Sequence, residues 1–319
     1  MITRSLNYVP MDVPKLHRKE YLKNYTQLTR NAGRTLLFAA DQKVEHLNTD
    51  FVGPTLDPSI ADPEHIFKIA SEGSVGALAT QLGLIAQYGM DYSSIAYVVK
   101  LTGKTNLISE EEQDPMSSLF WTTEDVIELK KKSGLNICAI GLTIYIGSSN
   151  EGIMLAQAAR EIFKAHQHGL VTFLWIYPRG KAINQPNKPE LVAGASGIAA
   201  SLSADFVKVN PPEANTKQSS AQLLKEASIA AGRTKVICSG GQLTDPKIFL
   251  ENLYKQIHVG QTGGCAVGRN IFQRPIEQAI AMTKAISQLS GLCSARSLID
   301  RGPNIAPWLV PPPTETSTA

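Results

Sequence analysis

Eight short apolar segments alternate with helical segments along most of this 319-residue chain, and no other feature constrains the fold as much. They are rich in Val, Ile, Leu and Ala without strict alternation, as expected for parallel strands buried on both faces. The predicted strands are residues 35–40, 76–80, 96–101, 138–143, 171–175, 206–209, 236–238 and 265–267. Eight strand-then-helix units, mostly of about 30 residues, predict an α/β fold of the (β/α)8 or TIM barrel type.

Capping residues mark the helices between these strands. Asp62-Pro63 predicts the start of one helix and Gly73 its end, while Thr122 and Gly134 bound another. Further helices are predicted at residues 151–168, 189–202, 219–231, 245–256 and 275–289. An amphipathic segment at 15–30 is expected to cover the bottom of the barrel or to lie in a subunit contact.

A doubly wound open sheet is the alternative fold, and it usually carries a GxGxxG turn after its first strand. Residues 41–46, which follow the first strand here, contain no glycine, so the barrel is favoured. We expect an N-terminal extension at 1–33, a barrel domain at 34–295 and a C-terminal tail at 296–319. The polar segment 106–120 is expected to be an inserted loop.

Composition excludes several classes of protein. Hydrophobic content is 43% and charged content is 18%, which suits a chain with a full-sized core. The net charge of +3 and a longest basic run of only three lysines, at 130–132, argue against a nucleic-acid partner. No segment has the roughly 20 apolar residues of a membrane span. The first residues lack a signal-peptide apolar segment, so we expect a cytoplasmic protein without membrane partners.

The four cysteines are scattered without CxxC spacing, and they are expected to be small buried hydrophobic residues in a reducing compartment. They are Cys138, Cys238, Cys265 and Cys293. No set of histidines converges on the predicted strand ends, since only His46 follows one directly. The His166 and His168 pair is expected at the surface. We therefore expect a mechanism with neither metal nor cofactor.

A single ammonium group interrupts the sixth predicted strand at Lys208. A lysine in a buried strand either loses its proton or costs stability, and a neutral amine can form a Schiff base with a carbonyl substrate. Lys100, at the end of the third strand, competes for this role. Alternatively, Lys100 forms a buried ion pair with Asp41, and as a second cation it depresses the pKa of the Lys208 amine. Lys104 is expected to face solvent.

Aromatic and acidic residues stand at other strand ends. Asp41 is either a helix-capping or turn residue or a carboxylate that tunes a lysine. Trp175 and Tyr177 are two residues apart on one strand, so their side chains point the same way. Tyr177 is either a core aromatic or a proton donor and acceptor for a substrate hydroxyl, with Tyr145 as a second candidate.

Two glycine turns follow the last two strands, where TIM barrels commonly bind phosphate. These turns are Ser239-Gly240-Gly241 and Gly268-Arg269. Glycines allow phosphate oxygens to approach the backbone, and an arginine adds a charge-assisted hydrogen bond. A lysine nucleophile upstream of two such turns indicates an enzyme that acts on a phosphorylated sugar.

An ordered set of motifs lies at residues 37–41 with Glu45-His46, 100–105, 175–180, 204–208, 239–241 and 266–273. This set resembles the archaeal-type class I fructose-1,6-bisphosphate aldolases. The resemblance implies that Lys208 forms the Schiff base, Tyr177 is the acid/base and Asp41 assists proton transfer. It also implies phosphate binding by both glycine turns, a pocket shaped by Trp175, and a homo-oligomer, often a decamer. We add Lys100 and Arg179 to the substrate-binding residues.

The sequence departs from this family pattern at two places. Gln42-Lys43 replaces the common His-Gly, and residues 210–213 replace a Tyr-Thr-Gly-Asp type of turn beside the nucleophile. The expected reaction is the reversible cleavage of fructose 1,6-bisphosphate to dihydroxyacetone phosphate and glyceraldehyde 3-phosphate. Alternatives are an amino-dideoxyheptulosonate synthase, an acyl-transferring enzyme of quorum-signal breakdown, and a non-catalytic sugar-phosphate binder.

Overall fold

Eight parallel strands close into a barrel, which confirms the predicted (β/α)8 fold. A computed structural model describes residues 8–41, 44–107 and 114–291. The predicted tail at 296–319, Cys293, the Gln42-Lys43 pair and part of the predicted inserted loop at 106–120 lie outside the described residues. Within the described residues, no helix is long and apolar enough to cross a membrane.

The strands run in chain order as follows: β1 Thr35–Ala39, β2 Ala77–Gln81, β3 Tyr97–Lys100, β4 Thr102–Gly103, β5 Ser118–Leu119, β6 Ile137–Ile146, β7 Val171–Pro178, β8 Phe206–Val209, β9 Lys235–Ser239 and β10 Gly264–Val267. The barrel order is β1-β10-β9-β8-β7-β6-β3-β2, and all of its pairings are parallel. β4 and β5 form a separate antiparallel pair. This pair begins directly after β3 and joins residues 102–103 to residues 118–119.

The helices are α1 Arg18–Thr29, α2 Glu64–Glu72, α3 Leu82–Tyr88, α4 Thr123–Ser133, α5 Glu151–Gln167, α6 Pro189–Ser201, α7 Ser220–Ala230, α8 Pro246–His258, α9 Arg269–Phe272 and α10 Ile276–Leu289. The caps of α4 are as predicted: Thr122 and Asp125 form a capping box, and Gly134 ends the helix with φ 68°. The short helices α3 and α9 were not predicted. α3 has only seven residues and no side-chain cap, so its sequence carries little signal.

Side chains fill the barrel interior in layers, because alternate residues of each strand point inward. Phe173 and Phe206 stack with ring centroids 4.5 Å apart, and Tyr25 of α1 stacks on Phe206 from below at 5.6 Å. α1 therefore closes the bottom of the barrel, as predicted for residues 15–30. The next inward positions toward the top are Trp175 on β7 and Lys208 on β8, which are paired in register.

Gly141 on β6 makes room for this upper layer. A Cβ atom at Gly141 would lie 2.4 Å from Trp175 Cζ3 and 3.3 Å from Lys100 Cδ. The missing side chain thus allows the indole and the Lys100 side chain to share the centre of the barrel. The identity of residue 141 is set by the packing of the site and not by strand propensity.

Two predictions of exposure are wrong. His166 is fully buried, because the end of α5 packs against the N-terminal segment, whereas His168 is half-buried. Lys104, which directly follows β4, is also buried, and its ammonium group donates to Thr105 O and Asn106 Oδ1. Cys138, Cys238 and Cys265 are buried as predicted.

His166 lies between two carboxylates beneath the barrel. Its Nδ1 is 2.9 Å from Asp12 Oδ2 and its Nε2 is 3.1 Å from Asp205 Oδ2. Burial opposes the charged form, but Asp205 and Asp12 outweigh it and raise the pKa of His166 to about 9. The pair with Asp12 fastens the N-terminal segment to the barrel.

We expect His166→Gln to lower the free energy of unfolding by about 3 kcal/mol at pH 7, because it leaves Asp205 buried without its cation. Because the pKa of His166 is raised, its stabilising contribution is fully present below the unfolded-state pKa near 6.5. This contribution is lost as pH rises through about 9. Denaturant unfolding at pH 7 and pH 9.5 measures both effects. The exposed His258→Gln is the control, and an equal loss in both variants would contradict the assignment.

Candidate active site

A cavity of about 370 Å³ opens at the carboxyl ends of the barrel strands. Its lining residues are Ala39, Asp41, Glu45, His46, Leu47, Asp50, Asn106, Thr143, Tyr145, Trp175, Tyr177, Arg179, Lys208, Asn210, Ser239, Gly240, Gly241, Ala266, Gly268 and Arg269. All the predicted site residues except Lys100 line this cavity. Lys100 lies directly behind it, against Asp41 and Thr143.

Lys208 is half-buried at the floor of the cavity, in the layer above the stacked phenylalanines. Among the described residues its amino nitrogen has no hydrogen-bond or ion-pair partner. Burial lowers the pKa of Lys208 to about 8. The positive charges of Lys100 and Arg269 also lower this pKa, whereas Asp41 and Glu45 raise it. A substantial fraction of the amine is therefore neutral near pH 8, as a nucleophile requires.

Lys100 has the opposite environment. It is fully buried, and its Nζ donates to Asp41 Oδ2 at 3.1 Å and to Thr143 Oγ1 at 2.8 Å. The same nitrogen lies 4.4 Å from the centre of the Trp175 ring. The Nζ of Lys208 lies 5.7 Å from the centre of the same ring. The ion pair expected between Lys100 and Asp41 is thus present, and Lys100 has the partners of a charged group while Lys208 has those of a neutral amine.

Lys100→Met is expected to shift the rising limb of the pH–rate profile to a pH above 8. Removal of the cation takes away a charge that depresses the pKa of Lys208, and it leaves the Asp41 carboxylate to raise that pKa. The dependence of kcat/KM on pH measures the shift, with the exposed Lys132→Met as control. An unshifted profile would mean that Lys100 does not act on the Lys208 amine.

Tyr177 is on β7 opposite Tyr145 of β6, and the two rings stack at 6.5 Å. Burial raises the pKa of Tyr177, with Asp41 and Glu45 adding to the effect, so the phenol keeps its proton at neutral pH. Tyr145 is more deeply buried, and its hydroxyl lies 3.4 Å from Glu45 Oε2. Tyr177 is therefore the more accessible phenol in the cavity.

The two glycine turns meet at one side of the cavity, where β9 and β10 end. The N–H of Gly240 donates to Ala266 O at 3.2 Å, so this group already has a hydrogen-bond partner. Gly241 has φ 71°, and its N–H makes no hydrogen bond within the described residues. Arg269 lines the same cavity, with its Nη1 3.9 Å from Asp50 Oδ1. A backbone donor and a guanidinium there can hold an anion.

Arg179 supplies a second guanidinium, placed against the Tyr145 ring at 5.7 Å. Its backbone N–H donates to Ile146 O at 2.9 Å, which extends the β6–β7 pairing to the cavity rim. β6 and β7 lie on the other side of β8 from the β9 and β10 turns. The cavity thus has cationic groups on two sides of Lys208.

Several lining residues were not assigned a role from the sequence, namely Glu45, Asp50, Asn106, Thr143 and Asn210. Asn210 is the one with the clearest sequence signal, since it lies two residues beyond Lys208 and so points the same way. Its Oδ1 accepts a hydrogen bond from Ser239 Oγ at 2.8 Å. This bond orients the Ser239 side chain at the start of the Ser239-Gly240-Gly241 turn.

Comparison with known proteins identifies the family to which this chain belongs. The model of the DeoC/LacD family aldolases matches residues 35–274, which is most of the chain. The chain belongs to the DeoC/LacD aldolase family. A protein of Methanocaldococcus jannaschii named fructose-bisphosphate aldolase/6-deoxy-5-ketofructose 1-phosphate synthase is 49% identical over 87% of this chain and 88% of the relative.

Solved structures agree with this family assignment. A fructose-bisphosphate aldolase from Slackia heliotrinireducens has a TM-score of 0.87 and 47% identity, covering 89% of both chains. An archaeal fructose-1,6-bisphosphate aldolase, with its catalytic lysine bound to a carbinolamine intermediate, has a TM-score of 0.71 and 28% identity over 84% of this chain and 98% of that chain. The resemblance to the archaeal-type class I aldolases is confirmed for this DeoC/LacD family member.

Proposed function

We propose that this protein is a class I aldolase that reversibly cleaves fructose 1,6-bisphosphate to dihydroxyacetone phosphate and glyceraldehyde 3-phosphate. The observation that carries the proposal is Lys208, an unpaired amine of lowered pKa at the floor of a cavity with cations on two sides. The family assignment and the names of the relatives support the same reaction.

In the first stage, the neutral Lys208 amine attacks the ketone carbon of the sugar and forms a carbinolamine, which loses water to give an iminium. Only the unprotonated amine has the required lone pair, so this stage becomes faster as pH rises through about 8. The Trp175 ring beside the nitrogen lies where it can stabilise the iminium charge.

In the second stage, the iminium withdraws electrons from the C3–C4 bond. The neutral Tyr177 phenol passes its own proton to the Asp41 carboxylate as it accepts the proton of the C4 hydroxyl, the bond breaks, and the aldehyde product leaves. The enamine that remains on Lys208 is protonated and then hydrolysed. We assign Asp41 to the support of these proton transfers, since its carboxylate lies on the cavity wall and is held by Lys100.

The two cationic sides suit a substrate with a phosphate at each end. We assign one phosphate to Ser239, Gly240, Gly241, Gly268 and Arg269, and the other to Arg179. The N–H of Gly240 is already bonded, so Gly240 serves only to let a phosphate oxygen approach the backbone. Gly241 and Arg269 provide the hydrogen-bond donors. Trp175 shapes the pocket between the two ends.

A second candidate is the 6-deoxy-5-ketofructose 1-phosphate synthase activity that the M. jannaschii relative's name also carries. The residues 210–213 beside the nucleophile, which depart from the common family turn, are where substrate choice would differ. A coupled assay for triose phosphates released from fructose 1,6-bisphosphate decides between these functions. Rapid cleavage supports the proposal, and a trapped lysine adduct with negligible cleavage would favour the synthase or another related lyase or transferase.

A non-catalytic sugar-phosphate binder is the alternative from a different class. It predicts that dihydroxyacetone phosphate binds without forming any borohydride-reducible adduct. We also propose a cytoplasmic homo-oligomer such as a decamer, and light scattering coupled to size-exclusion chromatography measures its mass. The division at 1–33, 34–295 and 296–319 is likewise proposed, and limited proteolysis tests it.

A further inference from the structure

We propose that Glu45 is a further catalytic acid of this site, which protonates the hydroxyl that leaves when the Lys208 carbinolamine dehydrates. This inference rests on the proposed aldolase function and assigns a step for which no proton donor has been named. Glu45 follows β1 by six residues, in the loop that covers one wall of the cavity.

The Glu45 carboxyl is held in the cavity wall, and its Oε1, 3.8 Å from Lys100 Nζ, accepts no hydrogen bond within the described residues. Its side chain is 12% exposed. The other oxygen, Oε2, lies 3.4 Å from the hydroxyl of Tyr145. The backbone carbonyl of Glu45 accepts a hydrogen bond from Asn106 Nδ2, which anchors the loop. A buried polar atom without a hydrogen-bond partner at a substrate cavity is suited to contact the substrate.

Burial and the neighbouring Asp41 carboxylate both favour the acid form of Glu45. Lys100 is the cation shared by two carboxyl groups, and it lies closer to Asp41, at 3.1 Å, than to Glu45, at 3.8 Å. Burial and the Asp41 carboxylate raise the pKa of Glu45 above its ordinary value, against the opposing effects of Lys100, His46 and Lys104. The other ionisable groups near Glu45 are His46, Lys104, Tyr145, Tyr177 and Lys208.

Formation of the iminium reverses this balance. When the carbinolamine C–O bond breaks, the hydroxyl takes the Glu45 proton and leaves as water, while the nitrogen lone pair forms the C=N bond. The site gains the positive iminium and the negative Glu45 carboxylate together, so its net charge does not change. In hydrolysis, the Glu45 carboxylate accepts a proton from the water that attacks the iminium. Each step balances without any further reactant.

The test compares Glu45→Gln with the exposed Glu226→Gln in rapid-quench experiments with dihydroxyacetone phosphate. Borohydride reduces the imine but not the carbinolamine, so it reports dehydration alone. We expect Glu45→Gln to form the trapped Lys208 adduct about 100-fold more slowly than the wild type. Exchange of the substrate carbonyl oxygen with ¹⁸O-labelled water should slow by the same factor, because it requires the same dehydration. Glu226→Gln should match the wild type.

A pH profile separates an acid from a merely structural residue. In the wild type, imine formation should fall at high pH as Glu45 ionises, and this falling limb should be absent in Glu45→Gln. Glu45→Asp keeps an acid one methylene shorter and should retain the limb at a lower rate, which also tests the proposal if the glutamine variant is unstable. Wild-type trapping rates in Glu45→Gln, or an unchanged limb, would overturn the proposal. A wild type that forms no Lys208 adduct would instead refute the aldolase mechanism itself.

Discussion

Replacement of Lys208 by Met is expected to lower kcat by at least about 10,000-fold, since the variant has no amine to form the covalent intermediate. Methionine fills a similar volume without an ammonium group. The variant should therefore bind dihydroxyacetone phosphate through the glycine turns, with an affinity that calorimetry can measure. Steady-state cleavage of fructose 1,6-bisphosphate gives the rate, and the exposed Lys132→Met should match the wild type.

The stability of Lys208→Met gives an independent check. A lysine whose pKa is lowered to about 8 by burial destabilises the folded state wherever the unfolded chain would hold the proton more tightly, that is, below about pH 10.5. The free energy of unfolding of the variant at pH 7 should equal or exceed that of the wild type. Retained turnover, or a large loss of stability, would contradict the assignment of Lys208 as a buried neutral amine.

Replacement of Tyr177 by Phe is expected to lower the rate of carbon–carbon cleavage by about 100- to 10,000-fold, because the C4 hydroxyl loses its proton acceptor. Imine formation should be affected far less, so fructose 1,6-bisphosphate should accumulate as an adduct on Lys208. Single-turnover kinetics with borohydride quenching separate the two steps. The lost hydroxyl is at the cavity wall, so the fold should be unaffected.

Tyr145→Phe is the matched control, since its ring stacks on Tyr177 and its hydroxyl is directed to Glu45. A larger cleavage defect in Tyr145→Phe than in Tyr177→Phe would reverse the assignment of the acid/base. The kinetic defect expected for Tyr177→Phe, an accumulated imine, also differs from that expected for Glu45→Gln, which should slow the appearance of the imine. The two variants therefore distinguish dehydration from cleavage.

The barrel could be predicted because it depends on signals that are local in sequence. Apolar runs, capping residues and glycine stops placed all eight barrel strands, and the β8 range of 206–209 agrees with Phe206–Val209. The helix α3 carries no comparable signal, because it lacks a side-chain cap and contains Gly83. The β4–β5 pair is only two residues long on each strand, too short for any periodicity.

The site could be predicted only where its residues follow a strand end. Lys208, Tyr177 and Asp41 satisfy this rule, and the structure brings them to one cavity. Glu45 lies in a loop whose path is set by tertiary contacts such as the one with Asn106, so its place in the wall has no local signal. His166 was misjudged for the same reason, since its burial depends on Asp12, which is 154 residues away in the chain.

The sequence also could not decide between two lysines at strand ends, whereas the contacts of each ammonium group do. Lys100 is bonded to Asp41 and Thr143, and Lys208 has no such partner within the described residues. This difference follows from Asp41, just after β1, and Thr143 on β6, which are remote in sequence from both lysines.

Borohydride reduction in the presence of dihydroxyacetone phosphate, followed by peptide mass spectrometry, tests the central assignment most directly. We predict one reduced adduct per chain, located on Lys208, in the wild type and in Lys100→Met. An adduct on Lys100, or reduction without any adduct on Lys208, would contradict the account.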